Sequence, residues 1–292
     1  MADPIPSTIP IRALEEHGDC VIAVAVFSHK DTLTSSCNER MVTASYDGML
    51  SLWDLKTGVV LKKMEGHKSR VRALAVSPNG LWIASSDESG GLIVWRGKTG
   101  ECVQVITAID KAHDGWIFSL DFSRDSRALV SGSSDATTKM WSTWNWQQKS
   151  FGCGGIVHCV RFSPHAKYYR ASLAIATDHN IQIYQNDRDY EYDYYDYISF
   201  PTHLITIGEG FNYYSLAWRS GTHLLSGGNL TDPTIREWGI STWCGEQVGD
   251  PWKGHFESIH ALSSPPHLVT TVSASGDSQI DEPLRYSSTR VG

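Results

Sequence analysis

The feature that most constrains this chain is a recurring strand that ends on an aromatic residue. ASYDGMLSLWD ends at Asp54, ASSDESGGLIVW at Trp95 and SGSSDATTKMW at Trp141. Each is a small-residue run, a turn, then an alternating strand. Trp53 and Trp95 are 42 residues apart, and Trp95 and Trp141 are 46 apart. Tyr184 closes IATDHNIQIY 43 residues later, and Trp238 closes LTDPTIREW after 54. Between the closures lie further alternating runs: VIAVAVF, VRALAVS, IFSLDFS, IVHCVRFS and YYSLAW. Period-2 alternation of β-branched and aromatic residues predicts strands, and Ser77-Pro78-Asn79-Gly80 predicts a tight turn between two of them. No stretch carries sustained helical periodicity. The unit is three or four short antiparallel strands, used about six times. One such unit cannot bury both of its faces, so neighbours must stack.

Gly66-His67, Trp53-Asp54 and the recurring Ser/Thr–x–x–x–Asp–(five residues)–Trp pattern resemble WD40 repeats, strongly in the first three units and less completely after them. The segment 245–255, GEQVGDPWKGH, is similar to linkers in large fungal WD40 families, including propellers attached to NACHT-type ATPases. No GxxxxGK[ST] phosphate loop is present, however. The resemblance implies an all-β, WD40-type β-propeller of about six recognisable blades, forming one domain. The repeats run approximately 11–55, 56–97, 98–142, 143–186, 200–240 and 241–292, with an acidic, Tyr-rich insertion at 187–199. That insertion, DRDYEYDYYDY at its core, reads as an exposed strand or hairpin, or as a docking edge for a basic partner.

WD40 repeats carry a buried chain of His, Ser/Thr, Asp and Trp. Carried over, His17, Thr43, Asp47 and Trp53 match in repeat one, and His113, Ser131, Asp135 and Trp141 in repeat three. Repeat two supplies His67, Ser85 and Trp95, with Ser89 at the Asp position and Asp87 as a substitute if the turn is rearranged. Repeat four keeps Asp178 but has Tyr184 for Trp and Ala174 for Ser. Repeat five keeps Asp232 and Trp238, with Gly208-Glu209 in place of Gly-His. Repeat six offers His255 and Ser273, and Asp277 by spacing. A buried Asp must be fully hydrogen-bonded or it destabilises the fold. Ser, His and Asp also suggest a hydrolase triad. The same set recurs at matched spacing, one set per repeat, which fits a structural brace rather than one catalytic centre or one metal site. No cofactor is expected.

In WD40 propellers the positions three and five residues after that histidine, and the one before the turn Asp, line the narrow top face. The resemblance therefore implies partner-binding roles for Tyr46, Arg70, Arg72, Glu88, Trp116, Phe118, Tyr214 and His260. Cys20, Ile22, Ser134, Asn212, Thr231 and Ser258 fall at the remaining carried positions. Aromatic and Arg residues dominate interface hot spots, because they bury much area with few rotors. The implied function is a protein-interaction scaffold for protein or peptide partners, acidic or phosphorylated. The alternatives are a nucleic-acid-associated subunit, a propeller enzyme and a truncated, non-functional product. A formal net charge of −7 disfavours direct nucleic-acid contact. The chain shows no ~18-residue apolar span, and its first residues, without a basic start or a long apolar stretch, give no expectation of a signal peptide. Six scattered cysteines without CxxC spacing suit reduced thiols of the cytoplasm or nucleus.

The last repeat departs from the pattern. Counting from His255 places Pro283 where the tryptophan belongs, and QIDEPLR (279–285) matches QVGDPWK (247–253) in kind. The tail therefore reads as the strand leading into a next repeat, with the third strand lost. The expected result is an imperfectly closed ring with residues 274–292 poorly anchored. A complete ring would instead recruit the strand at 9–14 to its last blade.

Overall fold

The structure is a computed structural model that describes residues 15–27, 40–106, 112–164, 172–185, 202–240, 244–263, 272–276 and 280–281. Among the described residues, alternating apolar residues and polar turns produce 23 strands in six antiparallel sheets, each a meander in sequence order. Blade one is β1 (Val21–Val26), β2 (Arg40–Ser45), β3 (Met49–Asp54) and β4 (Val59–Glu65). Blade two is β5 (Val71–Val76), β6 (Trp82–Asp87), β7 (Leu92–Arg96) and β8 (Cys102–Ile106). Blade three is β9 (Ile117–Phe122), β10 (Ala128–Ser133), β11 (Thr137–Ser142) and β12 (Gln148–Gly152). Blade four is β13 (Val157–Phe162), β14 (Ser172–Thr177), β15 (Ile181–Gln185) and β16 (Thr202–Ile207). Blade five is β17 (Tyr213–Trp218), β18 (His223–Gly228), β19 (Ile235–Ile240) and β20 (Gly245–Gln247). Blade six has three strands: β21 (Ile259–Ser263), β22 (Val272–Ser275) and β23 (Ile280–Asp281).

The first strand of each blade packs on the first strand of the next, β1 on β5 and so on to β17 on β21. The core is therefore a series of layers between blades. Val42, Ala44, Leu50 and Leu52 of blade one meet Val71, Ile83, Ile93 and Trp95 of blade two. In blades two to five the aromatic residue that closes the third strand packs towards the preceding blade. Trp95, Trp141, Tyr184 and Trp238 each sit in the layer shared with the blade before. The repeated aromatic in the sequence is thus the plug between adjacent sheets, and it removes large apolar area from water at each joint.

Turn chemistry follows the sequence. Gly80 has φ 68°, and its N–H donates to Ser77 O at 2.8 Å. The Asn79 carboxamide accepts from Leu81 N at 3.0 Å, closing the predicted Ser-Pro-Asn-Gly turn. The tail of blade six corrects one expectation. Ser273 pairs with Asp281 and Ala274 with Ile280, so residues 280–281 occupy the third-strand position as a two-residue strand rather than leading away into another repeat. Asp277, Pro283, the strand at 9–14 and the Tyr-rich segment 187–197 lie outside the described residues.

Candidate functional site

Three complete braces set the geometry at one end of the blades. In blade one, His17 Nδ1 is 3.0 Å from Asp47 Oδ2 and Nε2 is 2.7 Å from Thr43 Oγ1, which also accepts from Trp53 Nε1 at 2.9 Å. In blade three the distances are 2.9 Å for His113–Asp135, 2.7 Å for His113–Ser131 and 3.0 Å for Trp141–Ser131. A carboxylate only accepts and an indole N–H only donates, so one proton arrangement satisfies every member. The imidazole Nδ1–H donates to Asp, Nε2 accepts from the hydroxyl, and the hydroxyl oxygen accepts from Trp. In blade three this makes the His113 imidazole neutral. Burial accordingly lowers the His113 pKa, against the pull of Asp135. For Asp135 burial works in the opposite direction, but the bonds from His113 and Thr137 outweigh it and hold its carboxyl well below the ordinary range.

Blade two reaches the same end by another route. Asp87, not Ser89, meets His67 Nδ1, at 2.8 Å. His67 Nε2 and Trp95 Nε1 both bond Ser85 Oγ, at 2.7 and 2.8 Å. Asp87 stands two positions earlier than Asp47 or Asp135 does in its repeat. Its second oxygen accepts from Ser89 N, Ser89 Oγ and Gly91 N, so the carboxylate reorganises the turn around itself.

Blades four and five correct the carried-over pattern. Asp178 Oδ1 is buried without a hydrogen-bond partner, with His179 Nε2 3.6 Å away. Blade four is tied instead by Tyr184 OH donating to Gln182 Oε1 at 2.8 Å, with Gln182 Nε2 donating to Cys153 O at 2.7 Å. Asp232 joins no histidine. It accepts from Arg236 Nη2 at 2.7 Å and from Thr234 Oγ1 at 2.9 Å. Trp238 keeps half a brace through Ser226 Oγ at 2.8 Å, and the buried Tyr213 ring takes the place beside it, 6.3 Å away and edge-on. In blade six, His255 Nε2 bonds Ser273 Oγ at 2.8 Å. Ser226 is the hydroxyl residue that the pattern requires, but it stands 12 residues before its tryptophan instead of 10, and Gln182 has no place in the repeat.

Above the braces, the turn between the second and third strands is stapled to the start of the first strand in five blades. Tyr46 N donates to Cys20 O, Glu88 N to Arg70 O, Ser134 N to Trp116 O, Asp178 N to Ile156 O and Gly276 N to Ser258 O, all at 2.9–3.2 Å. The residues after these staples point side by side along one face. Arg72 lies over three rings: Trp116 (4.9 Å), Tyr46 (5.4 Å) and Phe118 (5.9 Å). Its Nε donates to Glu88 Oε1 at 2.9 Å and its Nη1 to Tyr46 OH at 3.1 Å. Phe118 meets Trp116 at 6.0 Å and His158 at 5.6 Å. His158 meets Tyr214 at 4.6 Å, and Tyr214 stacks on His260 at 5.9 Å. The result is a continuous track from blade one to blade six, aromatic except for Arg72, which bridges Tyr46 to Trp116 and Phe118.

All eight residues expected to contact partners, Tyr46, Arg70, Arg72, Glu88, Trp116, Phe118, Tyr214 and His260, lie on this face. Trp116 is 43% exposed and Phe118 half-buried, so neither is an ordinary core residue. Arg70 is exposed, 5.3 Å from the Tyr46 ring centroid. Two features differ from the expectation. The Arg72 charge is already matched by Glu88, and His158 joins the track although repeat four lacks the Gly-His from which the other positions were counted. Burial lowers the His158 pKa, against the charge of Asp178. Ile156 (37%), Phe211 (40%), Leu230 (64%) and Phe256 (76%) add exposed apolar area in the loops or turns bordering the first strands or joining second to third. Among the described residues no group of three or more His, Cys, Asp and Glu side chains could hold a metal ion, and no helix is long and apolar enough to cross a membrane.

A stack of four-stranded meanders, plugged by Trp and braced by His–Ser/Thr–Asp, defines a WD40 β-propeller, and this chain belongs to the WD40-repeat family. Residues 8–54, 58–96 and 100–142 match the WD domain, G-beta repeat. The chain is 32% identical to human transducin beta-like protein 2 over 164 residues, 51% of this chain and 36% of that protein. It is 35% identical to WD repeat-containing protein 1 of Xenopus tropicalis over 102 residues, 35% of this chain and 17% of that protein. Human striatin-3 is 32% identical over 100 residues, 34% of this chain and 12% of that protein. The chain thus spans about a third or less of the length of these relatives. They are vertebrate proteins and add nothing to the likeness to fungal linkers. Among solved structures, a chain in the crystal structure of the mitotic checkpoint complex superposes with a TM-score of 0.71, covering 84% of this chain and 71% of that one. Its 16% identity carries the fold alone.

Proposed function

We propose that this protein is a non-enzymatic interaction platform that holds an extended peptide segment of a partner along the aromatic track. WD40-repeat proteins are in general protein-interaction scaffolds. The observation that carries the finer reading is the continuity of Tyr46, Arg72, Trp116, Phe118, His158, Tyr214 and His260 across six blades. Rigid aromatic rings already packed on one another lose little entropy on binding, and they offer the flat, partly apolar area typical of hot spots. Arg72 serves chiefly to hold Tyr46, Trp116 and Phe118 in place, because Glu88 takes its charge. Specificity for an acidic or phosphorylated residue falls to the exposed Arg70 at the blade-one end. This locates the charged group of the peptide near Tyr46 and its apolar side chains over Trp116 and beyond.

The test is an array of extended peptides, with and without a phosphorylated residue, probed with the full chain. Arg72→Ala with Trp116→Ala should abolish binding of the selected peptides. Arg70→Ala should remove only the preference for acidic or phosphorylated ones. Full binding by the double variant would overturn the assignment of this face.

A further inference from the structure

The loops that lead into the blades repeat in backbone but not in chemistry. The track takes the second residue of each first strand, Arg72, Phe118, His158, Tyr214 and His260 in blades two to six. Three residues before that position stand Asp19, Ser69, Gly115, Gly155 and Glu257, all small or charged, but Phe211 in blade five. The turn between second and third strands has three residues in blades one, three and four, and six in blade five, residues 229–234. Among the described turns this longer one alone carries a branched aliphatic side chain, Leu230.

Both residues are exposed, Phe211 by 40% and Leu230 by 64%, and both are mounted on a fixed frame. The Arg236 guanidinium lies 4.6 Å from the centroid of the Phe211 ring. Arg236 itself donates through Nη2 to Asp232 Oδ2 at 2.7 Å and through Nη1 to Gln247 Oε1 at 2.8 Å. Asp232 is two residues from Leu230, so one arginine ties the Leu230 turn to the Phe211 loop. Thr231 Oγ1 donates to Asn229 Oδ1 at 2.7 Å, and Gly210 N donates to His179 O at 3.0 Å, which fixes the rest of both segments. The Phe211 ring is 6.3 Å from that of Tyr213, the strand neighbour of Tyr214 on the track. Large apolar side chains held rigid in water are the ordinary material of an interface. Here they continue the track outward at blade five, where the equivalent loop position of every other described blade is small or charged.

We infer that the partner segment leaves the track at Tyr214 and turns outward over blade five, with a large apolar side chain seated on Phe211 and Leu230. This rests on the reading of the track as a peptide site and adds a second fixed point to it. From Arg72 the track runs through Phe118 and His158 to Tyr214 in contacts of 5.9, 5.6 and 4.6 Å. An extended chain rises about 3.3 Å per residue, so about five residues cover that path. The recognised motif is therefore an acidic or phosphorylated residue about five residues, in either chain direction, from Leu, Ile, Met or Phe.

The test is a series of fluorescent peptides binding the full chain, read by anisotropy. Each has one acidic residue and a single Leu, placed from two to nine residues away on either side, against a control with Ala in place of Leu. The expected result is a maximum of affinity near a spacing of five, about tenfold tighter than the Ala control. Leu230→Ser should erase the maximum, so that Leu and Ala peptides bind alike, and Phe211→Ser should do the same. Peptides that bind without a preferred spacing would overturn the inference while leaving the track as a peptide site. So would a maximum that survives both variants. A Leu peptide without its acidic residue, bound as tightly and released by Leu230→Ser, would overturn it by making the rim a separate site. A clear fall in melting temperature with Leu230→Ser would overturn it too, because the chain itself would then cover the rim. Failure of every peptide to bind would overturn the peptide reading and this inference together.

Discussion

At the residue scale, the three complete braces show one chemical requirement met by two sequence solutions. A buried carboxylate needs donors, and the donors come from imidazole N–H and turn N–H groups whether the Asp stands at 47, at 135 or two places early at 87. Removing the acceptor leaves the buried His113 Nδ1–H only the Thr137 hydroxyl, 3.1 Å away. Asp135→Ala should therefore lower stability by about 1–3 kcal/mol, read as a fall in melting temperature, and an unchanged melting temperature would mean that the brace carries no stability. Beside it, Ala136 adopts φ 63°, the place where the equivalent turns have Gly48 and Gly90, both at φ 80°. A Cβ in this left-handed region is strained. Ala136→Gly should raise stability by about 0.5–1 kcal/mol in urea denaturation, and a loss of stability would count against a strained turn.

At the element scale, blades three and four have the same strand order but unequal ties between loop and sheet. Blade three is held by a chain of four side chains. Blade four relies on Tyr184, Gln182 and the Cys153 carbonyl, and leaves Asp178 Oδ1 orphaned. Elements with fewer satisfied buried groups open first. Amides of β14 and β15 should exchange with deuterium faster than those of β10 and β11, and equal protection would show that the Gln-centred network ties as firmly as the His-centred one. The strands themselves were legible from alternation and turn residues. The Gln182 network was not, because Gln has no fixed place in the repeat and its partner is a backbone carbonyl 29 residues away.

At the scale of the whole molecule, stability should fall on the acid side. The Asp47, Asp87 and Asp135 carboxyls are all lowered, by hydrogen bonds that outweigh their burial. Their stabilisation is complete above about pH 4, the unfolded carboxyl range, and is lost as pH falls towards the folded values. Buried His113, also lowered, adds stability that is full above about pH 6.5 and declines below it. Asp121, between blades three and four, works against both. Burial pushes its carboxyl up to about 6, despite Arg161 and the Phe162 N–H, so its protonation between about 6 and 4 favours the folded state. Asp121→Asn should therefore make the loss of stability below pH 6.5 steeper, measured as denaturation midpoint against pH. Parallel profiles for the two proteins would refute this assignment to Asp121.

The sequence by itself determined the all-β class, the repeated unit and the aromatic that closes each unit, and its resemblance to WD40 repeats implied most of the braces. All of these depend on local spacing, and a period of about 42 residues imposes the same neighbours each time. Through that resemblance it also pointed to the face that carries the aromatic residues, since position in a repeat dictates which end of the blade a residue occupies. Tertiary structure alone decided what depends on contacts between repeats. His158 joins the track because the neighbouring blades bring Phe118 and Tyr214 to its ring. Glu88 neutralises Arg72 because the register of blade two places them together. Val24 and Val26 are exposed although they alternate like any core strand, since alternation states which side of a sheet a residue takes but not whether another sheet covers it.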